Sequence, residues 1–512
     1  MPRTLCVNTK KSLVMKRFFL LFLVLSTAAS CLCQQSNFKC PCSKIGIDNL
    51  WADSNKVSCY LIPVLKNTSN PSNGKIYLAT VVTPSLKKSN EKPLLYLHGG
   101  PGIATVENVP RYLKSKTWKL LREKRSIIFF DYRGTGFSEP ALCPDMKDSL
   151  SKFSKINSSA TARQSYKISL YKKCRNQLLT DGIDVSSFNT AQLADDAEAI
   201  QKALQINSWN VYGVSYGTTV ALNLLRNHSK HINSIILDSP FPPNAPWLDF
   251  VRPFDTCFKV LEKNISDNPV AFSHFPSIRT DFKNAVTRLN KKPAKIKNKG
   301  DANESNYYGI DFAWSIWNAM LNPKFIPFVP LAIHEVAIGN DSILSKWIEA
   351  FSDPNSFGKF SEPQSNAIAC YESRPRTADD TNASLISKYP DFYPFLVENG
   401  GELCDAWQPE SGSPEIFKPV VSNVPVLILS GEYDPVCPPL FGEITAKTLS
   451  KSTLLIIPSA SHAAIHADDC LRKIADEFLS NPTLKPESGC VSNRSKIDFV
   501  YDNLAKVLSE FK

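Results

Sequence analysis

Short apolar runs separated by stretches with helical spacing dominate the chain. PLLYLHG (93–99), SIIFFDY (126–132), WNVYGVS (209–215), INSIILD (232–238), VPVLILSG (424–431) and TLLIIPS (453–459) are nearly continuously apolar and rich in β-branched and aromatic residues. Strands buried on both faces of a parallel sheet have that composition, whereas half-exposed strands alternate. VSCYLIPVL (57–65) and KIYLATVV (75–82) read as a further pair of strands. Between the runs, AQLADDAEAIQKALQI (191–206) and TTVALNLLRNH (218–228) read as helices. This alternation predicts an α/β class fold, a mostly parallel sheet wound on both faces by helices. From 240 to 419 the rhythm stops, although helical segments and many aromatics remain. A structureless loop of that length is foreign to a compact domain. The stretch therefore reads as an inserted, mainly helical lid, dividing the core into 34–239 and 420–512.

The first 33 residues stand apart. Lys16 and Arg17 precede the apolar run FFLLFLVL (18–25), which leads into small residues at Ser26, Ala28, Ala29 and Ser30. That is the order of a signal peptide, with cleavage expected between Ala29 and Gln34. The run falls short of the ~20 apolar residues that span a bilayer, so no stable membrane anchor is expected. Met15 lies directly before the basic pair, leaving either Met1 or Met15 as the start. The expected location is secreted, or the lumen of a secretory or lysosomal compartment.

That location changes how cysteine and charge are read. Cleavage would leave eleven of the 14 cysteines, and most should pair in an oxidising compartment. Spacing favours 143–174, 370–404 and 470–490, with Cys59 closing on Cys40 or Cys42; the odd count leaves at least one thiol over. Eight N-x-S/T sequons, at Asn67, Asn157, Asn227, Asn264, Asn303, Asn340, Asn382 and Asn493, agree with passage through the secretory pathway. The formal charge of +11 falls to +6 once the five basic residues of 1–33 are removed. The densest basic patch, KKPAKIKNK (291–299), reads as a solvated surface loop, and nucleic-acid binding is not expected. No Cys or His pairs recur at metal-ligand spacing, so neither a metal nor a cofactor is expected.

Glycine is scarce, 20 in 512, and seven of the twenty lie in HGGPG (98–102), DYRGTGFS (131–138) and GVSYG (213–217). Each segment directly follows an apolar run. Open α/β sheets bind their ligands at such strand ends. GVSYG has the form G-x-S-x-G between a strand and a helix, the sharp turn that projects a nucleophilic serine, here Ser215. A serine hydroxyl needs a base held by an acid, and in this arrangement the chain order is Ser, then Asp or Glu, then His. His98 precedes the serine and reads as structural or as part of the oxyanion loop. His228, His231, His274 and His334 come too early or fall in the insertion. His462, in the small-residue loop SASH, is the base; His466 reads as a surface or lid contact. Asp434, in GEYDPVCPP after the 424–431 run, is the acid, with Glu432 as the alternative. Tyr216 and Gly100 are the expected backbone donors of the oxyanion hole.

Taken together, HGGPG, DYRGTGFSEP, GVSYGT, the Asp434 loop and His462 resemble the proline iminopeptidase and tripeptidyl aminopeptidase group of α/β-hydrolases. The likeness runs from about Cys59 to Cys490 and includes CYLIPV, LADDAEAIQKALQINSWNVYG and the tail DDCLRKIADEFLSNPTLKPESGC. It implies the α/β-hydrolase fold with a lid insertion, no cofactor, and a serine exopeptidase acting on peptides with a free N-terminus. Such an enzyme holds the substrate ammonium through lid carboxylates; Glu372 in AIACYES is the candidate, with Glu402 and Asp405 as alternatives. The sequence departs from the group at Ser461, where glycine is common, and at Cys437, where a small hydroxyl residue is common. A carboxylic-ester hydrolase of the same fold is the alternative. A catalytically silent secreted binding protein is the third reading, against which an intact Ser215, Asp434 and His462 argue. Trp314, Trp317, Phe325 and Phe328 are expected either to line a lid pocket or to pack in a core.

Overall fold

The computed structural model describes residues 38–503 apart from 147, 150–159, 247–248, 298–303, 352–358, 373–381, 393–399 and 409–411. The signal-peptide reading of 1–33 lies outside the described residues, as does the side chain of Glu402.

One nine-stranded sheet forms the frame, in the order β1-β2-β3-β5-β4-β6-β7-β10-β11. Its strands are β1 (Lys39–Cys40), β2 (Ser58–Leu65), β3 (Lys75–Thr83), β4 (Leu94–Leu97), β5 (Ile127–Phe130), β6 (Trp209–Val214), β7 (Ile232–Asp238), β10 (Val426–Gly431) and β11 (Ser452–Ile457). The first three pair antiparallel, and β3 runs antiparallel to β5. From β5 to β11 every pairing is parallel. The eight apolar runs correspond to eight of these strands; the two-residue β1 gives too little pattern to be read.

The central strands are apolar throughout because both faces are covered. Leu95 and Leu97 join a cluster with helices Thr190–Ala203 and Tyr216–His228. Their neighbours Leu94 and Tyr96 point to the opposite face, toward helices Lys116–Arg122 and Asp469–Ser480. At the edge, β11 is only partly covered and buries Ile457 alone.

Between β7 and β10 the described chain is mainly helical, and much of it packs around its own core, with Phe254, Phe258, Phe282 and Trp347 buried. Trp314, Trp317, Phe325 and Phe328 belong to that packing, and none of the four lines the cleft at Ser215. The basic patch departs from its expectation. Instead of a loop, β8 (Ala294–Lys297) pairs with β9 (Glu304–Tyr307) in a hairpin. Ala294 and Ile296 turn inward while Lys295 stays exposed, an alternation too short to show among so many lysines.

Four disulfide bonds are present among the described residues: Cys42–Cys59, Cys143–Cys174, Cys370–Cys404 and Cys470–Cys490. Cys59 thus chooses Cys42 over Cys40. Among the described residues the free thiols are Cys40, Cys257 and Cys437. No helix among the described residues is long and apolar enough to cross a membrane.

Candidate active site

Two glycines make the corner between β6 and helix Tyr216–His228. A Cβ on Gly217 would sit 2.1 Å from the Leu97 carbonyl oxygen, and one on Gly213 would sit 2.6 Å from the Gly217 carbonyl oxygen. Ser215 occupies the corner at φ 55° and ψ −127°, a conformation costing roughly 1–3 kcal/mol. Neighbouring groups hold it there. Its N–H donates to the Asp238 carbonyl at 2.9 Å, and its carbonyl accepts the Thr218 N–H at 2.9 Å and the Thr218 hydroxyl at 2.5 Å. Tyr216 follows as the first helical residue, where backbone N–H groups lack partners within the helix.

The HGGPG loop packs against this corner. A Cβ on Gly99 would lie 2.9 Å from Ser215 Cβ. His98 sits behind the loop, stacked on Tyr112 and edge-on to Tyr96. Its Nδ1 lies 3.2 Å from the Gly99 carbonyl oxygen, so that nitrogen carries the proton. Desolvation holds the imidazole down at about 4, keeping it neutral. That is a structural histidine. Asp131 ties the segment after that loop to its own: its carboxylate accepts N–H groups from Thr105 (2.6 Å) and Val106 (2.8 Å), and from Phe137 (2.9 Å) of DYRGTGFS.

Asp434 and His462 are in direct contact. His462 Nδ1 lies 3.0 Å and 2.8 Å from the two carboxylate oxygens of Asp434. Asp434 is fully buried, and its Oδ1 also accepts the N–H groups of Val436 and Cys437. Glu432, the alternative acid, instead accepts from the Ser459 backbone. Desolvation opposes protonation of His462, but the carboxylates of Asp434 and Asp238 outweigh it and hold the imidazole above its ordinary value. His466 is exposed and bonds Thr117 of helix Lys116–Arg122 at 2.9 Å, so its contact is with the core and not with the insertion.

Cys437 lies beside the Ser215 side chain, and ligand atoms of Cys437, Asp434 and His462 lie within 4.8 Å of one another. No direct Ser215–His462 hydrogen bond is present among the described residues. Bonds between catalytic groups are often long or misaligned before substrate binds. Burial pushes the Cys437 thiol up, so it remains protonated. The same three residues are the one His/Cys/Asp/Glu cluster among those described that could hold a metal, but the carboxylate is already committed to His462 and two backbone amides.

A cleft opens over Ser215. Gly100, Pro101, Ser215 and Tyr216 line it, as do Thr190 and Glu372. Phe241, Pro242, Phe250, Ile368 and Phe417 supply apolar walls, and Glu372 is the only acid among the described residues that line it. Glu372 ends helix Glu362–Glu372, which Cys370–Cys404 staples to helix Gly400–Trp407. Asp405 on that second helix is exposed and does not line the cleft.

Residues 92–469 match the family described as the alpha/beta hydrolase fold. The chain belongs to that family. A probable proline iminopeptidase of Leptolyngbya boryana is 22% identical over 414 residues, covering 79% of this chain and 92% of the relative. The tripeptidyl aminopeptidase of Streptomyces lividans is 22% identical over 407 residues, covering 76% and 74%. Carboxylesterase B of Mycobacterium tuberculosis is 22% identical over 461 residues, covering 84% and 85%. The resemblance drawn from the motifs therefore holds, and peptidases and an esterase stand side by side among the relatives of this α/β-hydrolase.

The structure brings Ser215, Tyr216, Gly100 and Glu372 to one cleft and pairs Asp434 with His462. Three neighbours escaped the sequence reading. Thr190 grips Glu372, and Asp238 and Ser239 stand between the serine corner and the histidine loop. Asp238 closes a strand that was recognised, but a single acid at a strand end has no spacing to mark it.

Proposed function

We propose that the chain is a secreted serine exopeptidase that hydrolyses peptide bonds near a free N-terminus through an acyl-enzyme. The observation that carries this reading is that Ser215 and Glu372 line one apolar cleft, with Glu372 the only acid among the described residues that line it. An ammonium at the Glu372 end would leave a nearby carbonyl above Ser215, and apolar walls would take the side chains between.

In this mechanism the Ser215 hydroxyl turns to His462 as substrate enters. It attacks the scissile carbonyl while His462 Nε2 takes its proton, and Asp434 holds Nδ1–H and stabilises the imidazolium. The backbone N–H groups of Tyr216 and Gly100 receive the oxyanion. Collapse breaks the C–N bond, His462 returns the proton to the leaving amine, and an ester to Ser215 remains. Water, deprotonated by His462, then hydrolyses that ester and restores the hydroxyl. The named aminopeptidase relatives support the substrate class. The apolar run behind Lys16–Arg17 and the four disulfides support an oxidising, extracellular or lumenal location.

A carboxylic-ester hydrolase is the second reading, favoured by the alignment with carboxylesterase B over 461 residues. Turnover of matched peptides with free and blocked N-termini, alongside a small ester, separates the two. The proposal expects cleavage of free peptides only, and Glu372→Ala abolishing it while sparing the ester. Equal turnover of blocked peptides, or indifference to Glu372→Ala, would overturn it.

A further inference from the structure

We propose that Asp238 and Ser239, at the C-terminal end of β7, are positioning residues that set the spacing between Ser215 and His462. This rests on the serine-hydrolase reading given above.

The topology places the pair between the two halves of the site. β7 is flanked by β6, which ends at the serine, and by β10, which leads to Asp434. In register, Asp238 lies opposite Val214 on one side and Leu429 on the other. Its carbonyl accepts the Ser215 N–H at 2.9 Å, and the Ser239 N–H donates to the Leu429 carbonyl at 2.8 Å. The main chain of the pair is thereby fixed to both neighbouring strands.

The side chains reach the other way, to the histidine loop. Ser239 Oγ accepts the N–H of Ala463, the residue after His462, at 2.9 Å. Asp238 Oδ2 accepts the Ile465 N–H at 3.2 Å and the Tyr212 hydroxyl at 3.0 Å. Ser239 and Ala463 both sit at positive φ, 55° and 57°. Non-glycine residues keep such conformations only where their surroundings over-determine them. The contact thus joins two residues that both stand in costly backbone shapes.

Simple packing does not account for Asp238. A fully buried carboxylate is expensive beside an apolar isostere, and this one sits among Tyr96, Tyr212, Cys437 and His462. Its charge acts on His462 in the same sense as that of Asp434. A carboxylate there both holds the loop and stabilises the imidazolium formed during the reaction.

The test is the rate at which a fluorophosphonate labels the full-length protein across pH, with melting temperature measured in parallel. Asp238→Asn is expected to slow labelling on the order of tenfold to a hundredfold and to move its acid midpoint downward. Ser239→Ala should slow labelling without moving the midpoint. Wild-type rate and midpoint in Asp238→Asn would overturn the inference. So would rate losses in both variants that follow melting temperature alone. Absence of labelling in the wild type would instead overturn the hydrolase reading, and this inference with it.

Discussion

Thr190 holds both oxygens of Glu372: its N–H donates to Oε1 at 2.6 Å and its hydroxyl to Oε2 at 2.9 Å. Thr190 is the first residue of helix Thr190–Ala203, so that N–H is one of the helix's unpaired donors and faces an anion favourably. The Tyr216 hydroxyl lies 2.7 Å from Thr190 Oγ1. Because the Thr190 hydroxyl hydrogen is spent on Glu372, Tyr216 is the donor there. The chain of hydrogen bonds runs one way, from Tyr216 through Thr190 to the carboxylate of Glu372.

Thr190→Val should therefore weaken recognition of a free N-terminus while leaving the reaction centre alone. Loss of a hydrogen bond to a charged group predicts about a tenfold rise in KM for peptides with a free N-terminus. Small-ester turnover should change less than about twofold, and Thr190→Ser should recover the peptide KM. Steady-state kinetics on both substrates check this.

The pH profile follows from His462. In the proposed mechanism His462 must be neutral to take the Ser215 proton, and its imidazole is held above the ordinary value. Activity should rise with pH through a midpoint above about 6.5. Asp434→Asn removes the larger of the two carboxylate effects and should move that midpoint down, besides lowering kcat. A profile of kcat/KM against pH for both proteins measures it.

Asp131 offers a test of stability. Burial pushes its carboxyl up to about 6, against the pull of its three backbone N–H donors. A carboxyl raised in the folded state contributes most below its unfolded value of about 3.9, and that contribution fades as pH rises through 6. Asp131→Asn sets an amide N–H₂ against a backbone donor and should cost about 1–3 kcal/mol. Thermal unfolding should show the wild type's margin over Asp131→Asn to be wider at pH 5 than at pH 8.

The parts legible in the sequence are those written locally. Eight strands showed as apolar runs because the sheet buries both faces. The elbow and the HGGPG loop showed because their backbone approaches exclude any Cβ. Asp434 and His462 showed through chain order and through the strands they follow. What stayed hidden is contact across distance. Thr190 and Glu372 are 182 positions apart, and nothing near either residue points to the other. The insertion likewise touches the HGGPG loop unannounced: Ala104 N–H donates to the Lys359 carbonyl and Ser361 N–H to the Gly102 carbonyl, each at 2.8 Å. Helix Ala160–Thr180 escaped because its apolar residues gather on no one face. The Cys437–Ser215 contact escaped because cysteine was counted for disulfides, while this thiol lies fully buried beside Ser215 and Asp434.

Mass-spectrometric mapping of a fluorophosphonate adduct tests the central claim most directly. The account predicts a single phosphonylated peptide carrying Ser215 in the wild type, no adduct in Ser215→Ala, and strongly slowed labelling in His462→Ala. An adduct at another residue, equal labelling of Ser215→Ala, or no adduct on folded wild-type protein would contradict it.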